Sequence, residues 1–469
     1  MAIGYTNSLC LLCPVDMYKL NKYTWTLNLG GGNYLLYNSL FQKAAKIDEE
    51  LKTFLEKVTN PKELTEHADI AEMLKKMGVL LPENFDEINY LRTLFRDVES
   101  TLKIGYDSFI FLLTWDCNSD CTFCLEKKYR TSIPERDMTA EMIENAFLFI
   151  DKFKKGPPKS LEISGGEPLL LKNKEIVEKI LEMVRKRGFN SLTITTNGVT
   201  IREYTDLLLK YEDTISLVRT TLDGMRDYHD RRRGSRGEGS YDRIVQGITS
   251  LISKGFNSEK IHITVRFDKT LAKKIDKVIE TFETLQFIGK IAITFSTVNN
   301  FSVNPEKTVE TREELWRDFI AYFKEHNELL KYINLTDETK TAKIIMEILI
   351  KGKVLPVNPF GCRGLSGVSS AVFAPDGKVY FCIVPAGLKE YPLGEYYPEI
   401  NVSTEAVENV RKRMFFALEE CHECKFMPVC SGGCPYADGR GVTCLVKSLF
   451  EEEISQFFYQ YMRPQRMMK

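Results

Sequence analysis

From residue 108 the chain alternates short apolar runs with longer amphipathic stretches. Six β-rich runs recur: "SFIFLLT", "SLEIS", "SLTITT", "ISLVRTTL", "KIHITVRF" and "IAITFSTV". Between them apolar positions repeat at helical spacing. In "TAEMIENAFLFIDKF", Met142, Ile143, Ala146, Phe147, Ile150 and Phe153 fall on one face. The stretches "KEIVEKILEMVRKRG", "YDRIVQGITSLISKG" and "LAKKIDKVIETFETLQ" read the same way. Near-continuous apolar strands joined by helices predict an α/β fold with a parallel sheet covered on its faces. Six units are too few to close an eight-stranded barrel and predict a curved, open one, a partial (β/α)6 barrel.

The flanks carry other patterns. Ahead of the barrel, "TWTLNL" and "YLLYNSL" surround "GGGN", a hairpin signature. Three amphipathic helical stretches follow: "KIDEELKTFLEKV", "ELTEHADIAEMLKKMGVL" and "FDEINYLRTLFRDVES". Two strands and three helices predict a winged-helix-like module over residues 1–102. The barrel is expected over 103–310. A helical bridge, with helices near 312–330 and 337–351, is expected over 311–361, and a cysteine-rich domain over 362–469. There is no internal repeat and no low-complexity tract.

Composition narrows the function classes. Of 469 residues, 43% are apolar and 28% charged, with a net charge of −1. That balance gives no electrostatic case for nucleic acid or an anionic membrane. The apolar run "FIFLL" falls far short of the roughly 20 residues a span needs, and the N-terminus lacks the basic region of a signal peptide. A cytoplasmic location is expected. Thiols stay reduced there, so the 12 cysteines read as metal ligands or free thiols rather than a disulfide framework.

Their spacing carries the chemistry. After the first barrel strand, "WDCNSDCTFCLEKKY" places Cys117, Cys121 and Cys124 as CxxxCxxC, at the rim where barrel folds build active sites. Three thiolates can hold three irons of a four-iron cluster and leave the fourth open; a zinc site is the alternative. "SGGEP" follows the second strand: Gly165 and Gly166 permit close backbone approach to a ligand, and Glu167 suits an ammonium group. "TTNG" follows the third, with Thr195, Thr196 and Asn197. "TTLDG" ends the fourth, ahead of "HDRRRGSRGEGSYD". The basic run there reads as a solvated loop, with Arg231, Arg232, Arg233 and Arg236 as candidate partners for a carboxylate.

These motifs together resemble the radical S-adenosylmethionine (SAM) enzymes over residues 105–300. The resemblance implies that Cys117, Cys121 and Cys124 hold a 4Fe–4S cluster whose fourth iron chelates SAM. Gly165, Gly166 and Glu167 would bind the methionyl amine, Phe123 would lie against adenine, and Thr195 and Asn197 near the ribose. One electron would cleave SAM to a 5′-deoxyadenosyl radical that removes a substrate hydrogen.

The tail resembles the SPASM extension of radical SAM maturases. Cys362 and Cys382 flank Gly377 in "APDGKVYFC", a hairpin signature by its Asp-Gly turn, and Cys421, Cys424, Cys430, Cys434 and Cys444 complete a seven-cysteine pattern. The resemblance implies two auxiliary 4Fe–4S clusters. Cys362, Cys382 and Cys434 would hold the first, and Cys421, Cys424, Cys430 and Cys444 the second. Seven thiolates leave the first cluster one ligand short. Its missing ligand could be a substrate thiolate, a water, a carboxylate or a backbone group. Cys10 and Cys13, far upstream, form a lone CxxC of unassigned role.

Taken together, the resemblance implies a maturase of a ribosomally made precursor peptide. The peptide's leader would add a strand to the N-terminal hairpin, and flavodoxin or ferredoxin would donate electrons. Thioether formation at a peptide Cys is the expected reaction. Carbon–carbon crosslinking is the alternative, followed by anaerobic sulfatase (formylglycine) maturation. Sulfatase maturases carry Asp directly after the cysteine here numbered Cys382; this chain has Ile383. A three-cluster electron carrier and a zinc-dependent scaffold are the non-enzymatic alternatives.

Overall fold

The computed structural model describes residues 18–57, 68–101, 103–124, 126, 134–234, 239–297, 312–334, 369–388, 391–411, 421–430, 456–457 and 460. Cys10, Cys13, Cys362, Cys434, Cys444, Arg236 and the helix expected at 337–351 lie outside them.

The N-terminal stretch begins with β1 (Tyr18–Leu20), β2 (Thr24–Gly30), β3 (Asn33–Asn38) and β4 (Lys43–Asp48). Then come α1 (Glu49–Lys57), α2 (Ala68–Lys76), β5 (Leu80–Pro82) and α3 (Glu87–Thr101). Strands β2, β3 and β4 form an antiparallel meander, and β1 pairs with β5. The sequence reading gave two meander strands and started a helix at Lys46. Instead Lys43–Asp48 pairs with β3, and the helix begins at Glu49. The two faces of the meander serve different cores. Trp25 and Leu27, opposite Tyr37 and Leu35, face the large core shared with the sheet beyond residue 108. Tyr34 and Leu36 face a smaller core with Ile47, Leu74 and Val79.

Beyond residue 106 each expected strand appears: β6 (Ser108–Leu112), β7 (Ser160–Ser164), β8 (Ser191–Thr195), β9 (Leu217–Thr221), β10 (Ile261–Phe267) and β11 (Ala292–Thr297). Intervening helices are α4 (Ala140–Phe153), α5 (Lys174–Arg187), α6 (Ile201–Lys210), α7 (Arg226–Arg233), α8 (Tyr241–Ser253), α9 (Lys269–Ala272) and α10 (Ile275–Thr284). α11 (Arg312–Glu325) and the two-residue β12 (Ile333–Asn334) follow. Local chemistry sets the ends: Thr139 caps α4 through its hydroxyl, and Gly188, left-handed at φ +64°, stops α5.

The strands are parallel, ordered β12-β11-β10-β9-β8-β7-β6, and β13 (Ser370–Phe373) continues the same sheet beside β6. β14 (Lys378–Tyr380), β15 (Pro392–Glu395) and β16 (Asn401–Val402) extend it antiparallel. The tail hairpin is thus welded onto the first parallel strand, and α12 (Thr404–Arg411) and α13 (Met427–Cys430) lie beyond it in sequence. The expected turn holds: Gly377 sits at φ +78°, and an added Cβ would meet the Tyr397 carbonyl oxygen at 2.6 Å.

One expectation needs correcting. Strands β7 to β11 are not apolar on both faces. Phe111, Ile163, Ile194, Val218, Ile263 and Ile293 are fully buried in the core with α4, α5, α6, α8 and α10. Neighbours in register on the other face are polar: Glu162 beside Thr193, Thr195 beside Arg219, Arg219 beside His262, and Arg266 beside Ser296. On β7 to β11 this is the period-2 alternation of a sheet with one apolar face; beside them, on β6 and β13, the second face is apolar as well, with Leu112 and Val372 buried against Trp115 and Tyr380. From β7 to β11 the other face is polar, tied internally by Thr195 donating to Glu162 at 2.7 Å and by contacts of His262 with Thr294 and of Arg266 with Ser296.

The weld depends on aromatic packing. Phe373, fully buried, meets Phe111 at 5.2 Å, Phe149 at 5.3 Å and Tyr396 at 5.1 Å between ring centroids, all edge-on. Truncation Phe373→Ala is expected to cost about 3–5 kcal/mol, read as a lowered denaturant midpoint. A loss below about 1 kcal/mol would show that the hairpin is not held this way.

Candidate functional site

The cysteine loop leaves β6 and is held on three sides by the loops after β7, β8 and β9. The first contact is between main chains. Gly165 (φ +87°) and Gly166 (φ +50°) bring the β7 loop so close that a Cβ on Gly166 would lie 2.2 Å from the Asp116 oxygen, and one on Gly165 2.7 Å from Leu112 Cα. Only glycine tolerates both the approach and the left-handed backbone. The Glu167 N–H then donates to the Asp116 carbonyl at 2.8 Å. Asp116, one residue before Cys117, pairs with Arg136 and Lys172.

Glu167 is fully buried, and every partner is a donor. Its carboxylate accepts from Thr196 Oγ1 (2.6 Å), Asn197 N (2.6 Å) and Leu169 N (2.8 Å). It ties the β7 loop to the β8 loop. Burial pushes its carboxyl up to about 7, although the three donors pull the other way. Another carboxylate, Glu126, accepts from the Gly166 N–H at 2.6 Å. The sequence reading did not single out Glu126; its position two residues past Cys124 was the available signal.

Asn197 reaches back to the cysteines. Its Nδ2 lies 3.6 Å from Cys117 Sγ, 2.6 Å from Asn118 Oδ1 and 3.2 Å from Ser119 Oγ. Cys117 Sγ also accepts from Ser119 N at 3.4 Å. Cys124 N donates to Cys121 O at 3.3 Å, a turn that closes the CxxC step. Cys117, Cys121 and Cys124 are all half-buried. Thr195 turns to Glu162 on the polar face.

The third side corrects the reading of the basic run. Arg232 and Arg233 are not solvated; both are 8% exposed. They converge on Asp223, which is fully buried, with Arg233 Nε at 2.7 Å and Arg232 Nη1 at 3.2 Å. Both guanidinium carbons lie 4.7 Å from the Phe123 ring centre.

In the tail, Cys382 follows β14 and its Sγ accepts from Val384 N at 3.5 Å. Cys421 and Cys424 share the CxxC turn, Cys424 N donating to Cys421 O at 3.0 Å. The N-terminal unit grips this loop: Tyr23 Oη donates to His422 O (3.2 Å), Ser39 Oγ to Lys425 O (3.3 Å), Lys22 pairs with Glu423 (2.9 Å), and the Trp25 and Phe426 rings lie 5.6 Å apart. The backbone of Cys430 ends α13.

Residues 112–268 match the family described as the Radical SAM superfamily. The chain carries a radical SAM domain. It is 28% identical to GTP 3′,8-cyclase 1 of Mycobacterium tuberculosis over 151 residues, 32% of this chain and 40% of that protein, so it spans less than half of that relative's length. It is 24% identical to the cysteine-type anaerobic sulfatase-maturating enzyme of Clostridium perfringens over 369 residues, 73% of this chain and 92% of that protein. Among solved structures, native anSMEcpe with bound AdoMet and Cp18Cys peptide superposes with TM-score 0.57 at 20% identity, covering 77% of this chain and 99% of that one. Streptococcus suis SuiB bound to precursor peptide SuiA gives 0.52 at 15% identity, covering 90% and 96%. These structural likenesses show a shared fold.

The radical SAM domain's donor set fits an iron–sulfur cluster. Among the described residues no three His, Cys, Asp or Glu side chains gather around one metal-ion position; a four-iron cube asks for a wider arrangement, one thiolate per iron corner. Three half-buried thiols on one loop, with N–H groups directed at Cys117 Sγ, suit that demand.

Glu167→Gln tests the tie between loops. The new amide would set a donor against a donor at the Asn197 N–H, costing about 1–3 kcal/mol in chemical unfolding. Because the native Glu167 carboxyl lies above its ordinary 4.5, its contribution is full below that pH and lost as pH rises through about 7. The stability gap between parent and variant is therefore expected to narrow over that window. A gap that widens would show that the carboxylate is stabilised by its burial site.

Proposed function

We propose that this protein is a radical SAM maturase that acts on a ribosomally made peptide, joining the sulfur of a peptide Cys to a carbon. The observation that carries this reading is the convergence of three strand-end loops on the three-cysteine loop, with the glycine pair packed on Asp116, Glu167 tying β7 to β8, and Asn197 reaching Cys117. Such rim loops are where enzymes of this architecture place their chemistry.

Cys117, Cys121 and Cys124 would hold a 4Fe–4S cluster; Gly165, Gly166 and Glu167 would receive the methionyl amine, Phe123 the adenine, and Thr195 and Asn197 the ribose. When bound, the cluster and SAM supply one-electron cleavage of the sulfonium and a radical that abstracts hydrogen. The chain's own part is to shape and seal. Gly165 and Gly166 leave room for backbone approach, and the half-exposed Glu162 and Arg219 offer hydrogen bonds to a peptide lying over the sheet. Cys362, Cys382 and Cys434 would hold a first auxiliary 4Fe–4S cluster, with an open position for the substrate thiolate, and Cys421, Cys424, Cys430 and Cys444 a second. A flavodoxin or ferredoxin would supply electrons. The solved neighbours with similar folds include proteins bound to peptides, which supports a peptide substrate.

Formylglycine formation is the second reading, favoured by the likeness to the Clostridium perfringens enzyme across 73% of this chain. Against it stands Ile383, 40% exposed, where that chemistry expects a carboxylate base.

The N-terminal unit would receive the leader. Among the described residues β4 has no strand on its outer side, and its Lys43, Ala44, Lys46 and Asp48 are exposed, as suits strand addition. Adjacent amides point to opposite sides of a strand, so one of Ala44→Pro and Ala45→Pro removes an edge donor. That variant is expected to weaken leader binding about fivefold, measured by fluorescence anisotropy, with the other disturbing the meander instead. Equal leader affinity in both variants would place the leader elsewhere.

Mass spectrometry of the precursor after anaerobic incubation with enzyme, SAM and reductant tests the reaction. Loss of two hydrogens with one thiol no longer open to alkylation is expected. The same loss with every thiol still alkylatable would point to carbon–carbon crosslinking, and conversion of Cys to an aldehyde to the second reading.

A further inference from the structure

We propose that Arg232 and Arg233, anchored on Asp223, are positioning residues that seat the three-cysteine loop and place a net positive charge beside it, making a cluster held there easier to reduce. The inference rests on the reading of Cys117, Cys121 and Cys124 as ligands of a SAM-binding cluster.

The seat is built from backbone and side chain together. Residues between the cysteines bond to the end of α7: Thr122 N donates to Arg232 O at 3.0 Å, and Asp120 N to Gly234 O at 3.1 Å. Phe123, next to Cys124, carries both guanidiniums against its ring. Behind them, Asp223 also accepts from Arg266 N at 2.9 Å, while Arg232 Nη1 donates to Arg266 O at 2.6 Å. The cysteine loop, α7, the β9 loop and β10 are thereby joined.

The charges do not balance. Burial works against the Asp223 carboxylate, but Arg233 and Arg232 outweigh it and hold it below the usual range, so it is ionised. His229 adds nothing: burial takes it down to about 4, and its Nδ1 accepts from Asp223 N at 3.2 Å, which leaves Nε2 to donate to Ser240 Oγ at 3.0 Å. Asp230 and Asp268 keep their own charges and lie outside this bonded group. Asp230 accepts from Ser240 N and Tyr241 N, and Asp268 caps α9 and takes the Tyr228 hydroxyl. Two guanidiniums against one carboxylate leave the bonded group at +1, with Arg side chains only 10% exposed. Reduction adds one negative charge to a cluster, and a poorly hydrated positive charge favours the more negative state. The electron comes from a low-potential donor, titanium(III) citrate in the test below.

The test separates charge from shape. Full-length, anaerobically reconstituted protein is titrated electrochemically, following the electron paramagnetic resonance signal that changes when SAM is added. Arg233→Gln removes the charge; Arg233→Lys keeps it while losing the planar fork. At a fixed potential near the parent's midpoint, the Gln variant is expected to show about tenfold less reduced over oxidised cluster, about 59 mV for one electron. The Lys variant is expected within about twofold of the parent, under 20 mV by the same relation. Asp223→Asn shifts the other way, toward easier reduction. Should that variant fail to fold, the Lys and Gln pair decides. Equal shifts in Lys and Gln, or none in Gln, would overturn the proposal. A parent protein with no SAM-responsive signal would instead sink the ligand assignment, and this inference with it.

Discussion

The site depends on one close approach between two main chains. Gly166 passes so near the carbonyls of Thr114 and Asp116 that a side chain there would overlap both, at 2.7 and 2.2 Å. The resulting Glu167 N–H to Asp116 bond fixes the β7 loop to the residue preceding Cys117. From that fixed pair the rest follows in register. Glu167 sends its carboxylate to the β8 loop, and Asn197 of that loop sends its amide back to Cys117. The cysteine loop cannot shift without breaking buried hydrogen bonds, each of which is costly to leave unmade. A site arranged this way is preorganised, which is what positioning a reactive group requires.

The same logic extends across the molecule. Parallel strands need their crossovers, and the helices that supply them cover only the apolar face of the sheet. Helix packing therefore claims Phe111, Ile163, Ile194 and Val218, while Glu162, Thr195 and Arg219 stay available for chemistry. β13 joins the sheet beside β6, so the strand that delivers the three-cysteine loop is also the strand on which the tail hairpin of Cys382 is built. The loop of Cys421 and Cys424 is held instead by Tyr23, Ser39 and Trp25 of the N-terminal unit. The segments of Cys117 to Cys124, of Cys382 and of Cys421 and Cys424 are thus mechanically connected through the sheet and the meander, although they lie hundreds of residues apart in sequence.

Some of this was legible in the sequence and some was not, for physical reasons. Local signals carried well: the six strands, the turn at Gly377, and the cysteine spacing are set by residues close in the chain. The alternation in "SLEIS" and "IHITVRF" was present but masked by β-branched Thr and by apolar Ile and Val, which made the strands look continuous. β4 was misread because Ile47, Leu51, Phe54 and Leu55 repeat at helical spacing across the true boundary at Glu49. The buried state of Arg232 and Arg233 was beyond local reading. A triple arginine looks solvated until Asp223, ten residues upstream of Arg233, is seen to be buried against it. Glu126 escaped because only the fold brings it to Gly166.

The proposed function requires that a cluster held by Cys117, Cys121 and Cys124 bind SAM through its open iron. Electron–nuclear double resonance on the reduced protein, with SAM isotopically labelled at its amine nitrogen, examines that bond directly. A resolved hyperfine coupling between the label and the cluster is predicted, and it should vanish when Cys121 is replaced by Ala. A reduced cluster that shows no coupling to the label, at SAM concentrations where binding is saturated, would contradict the account.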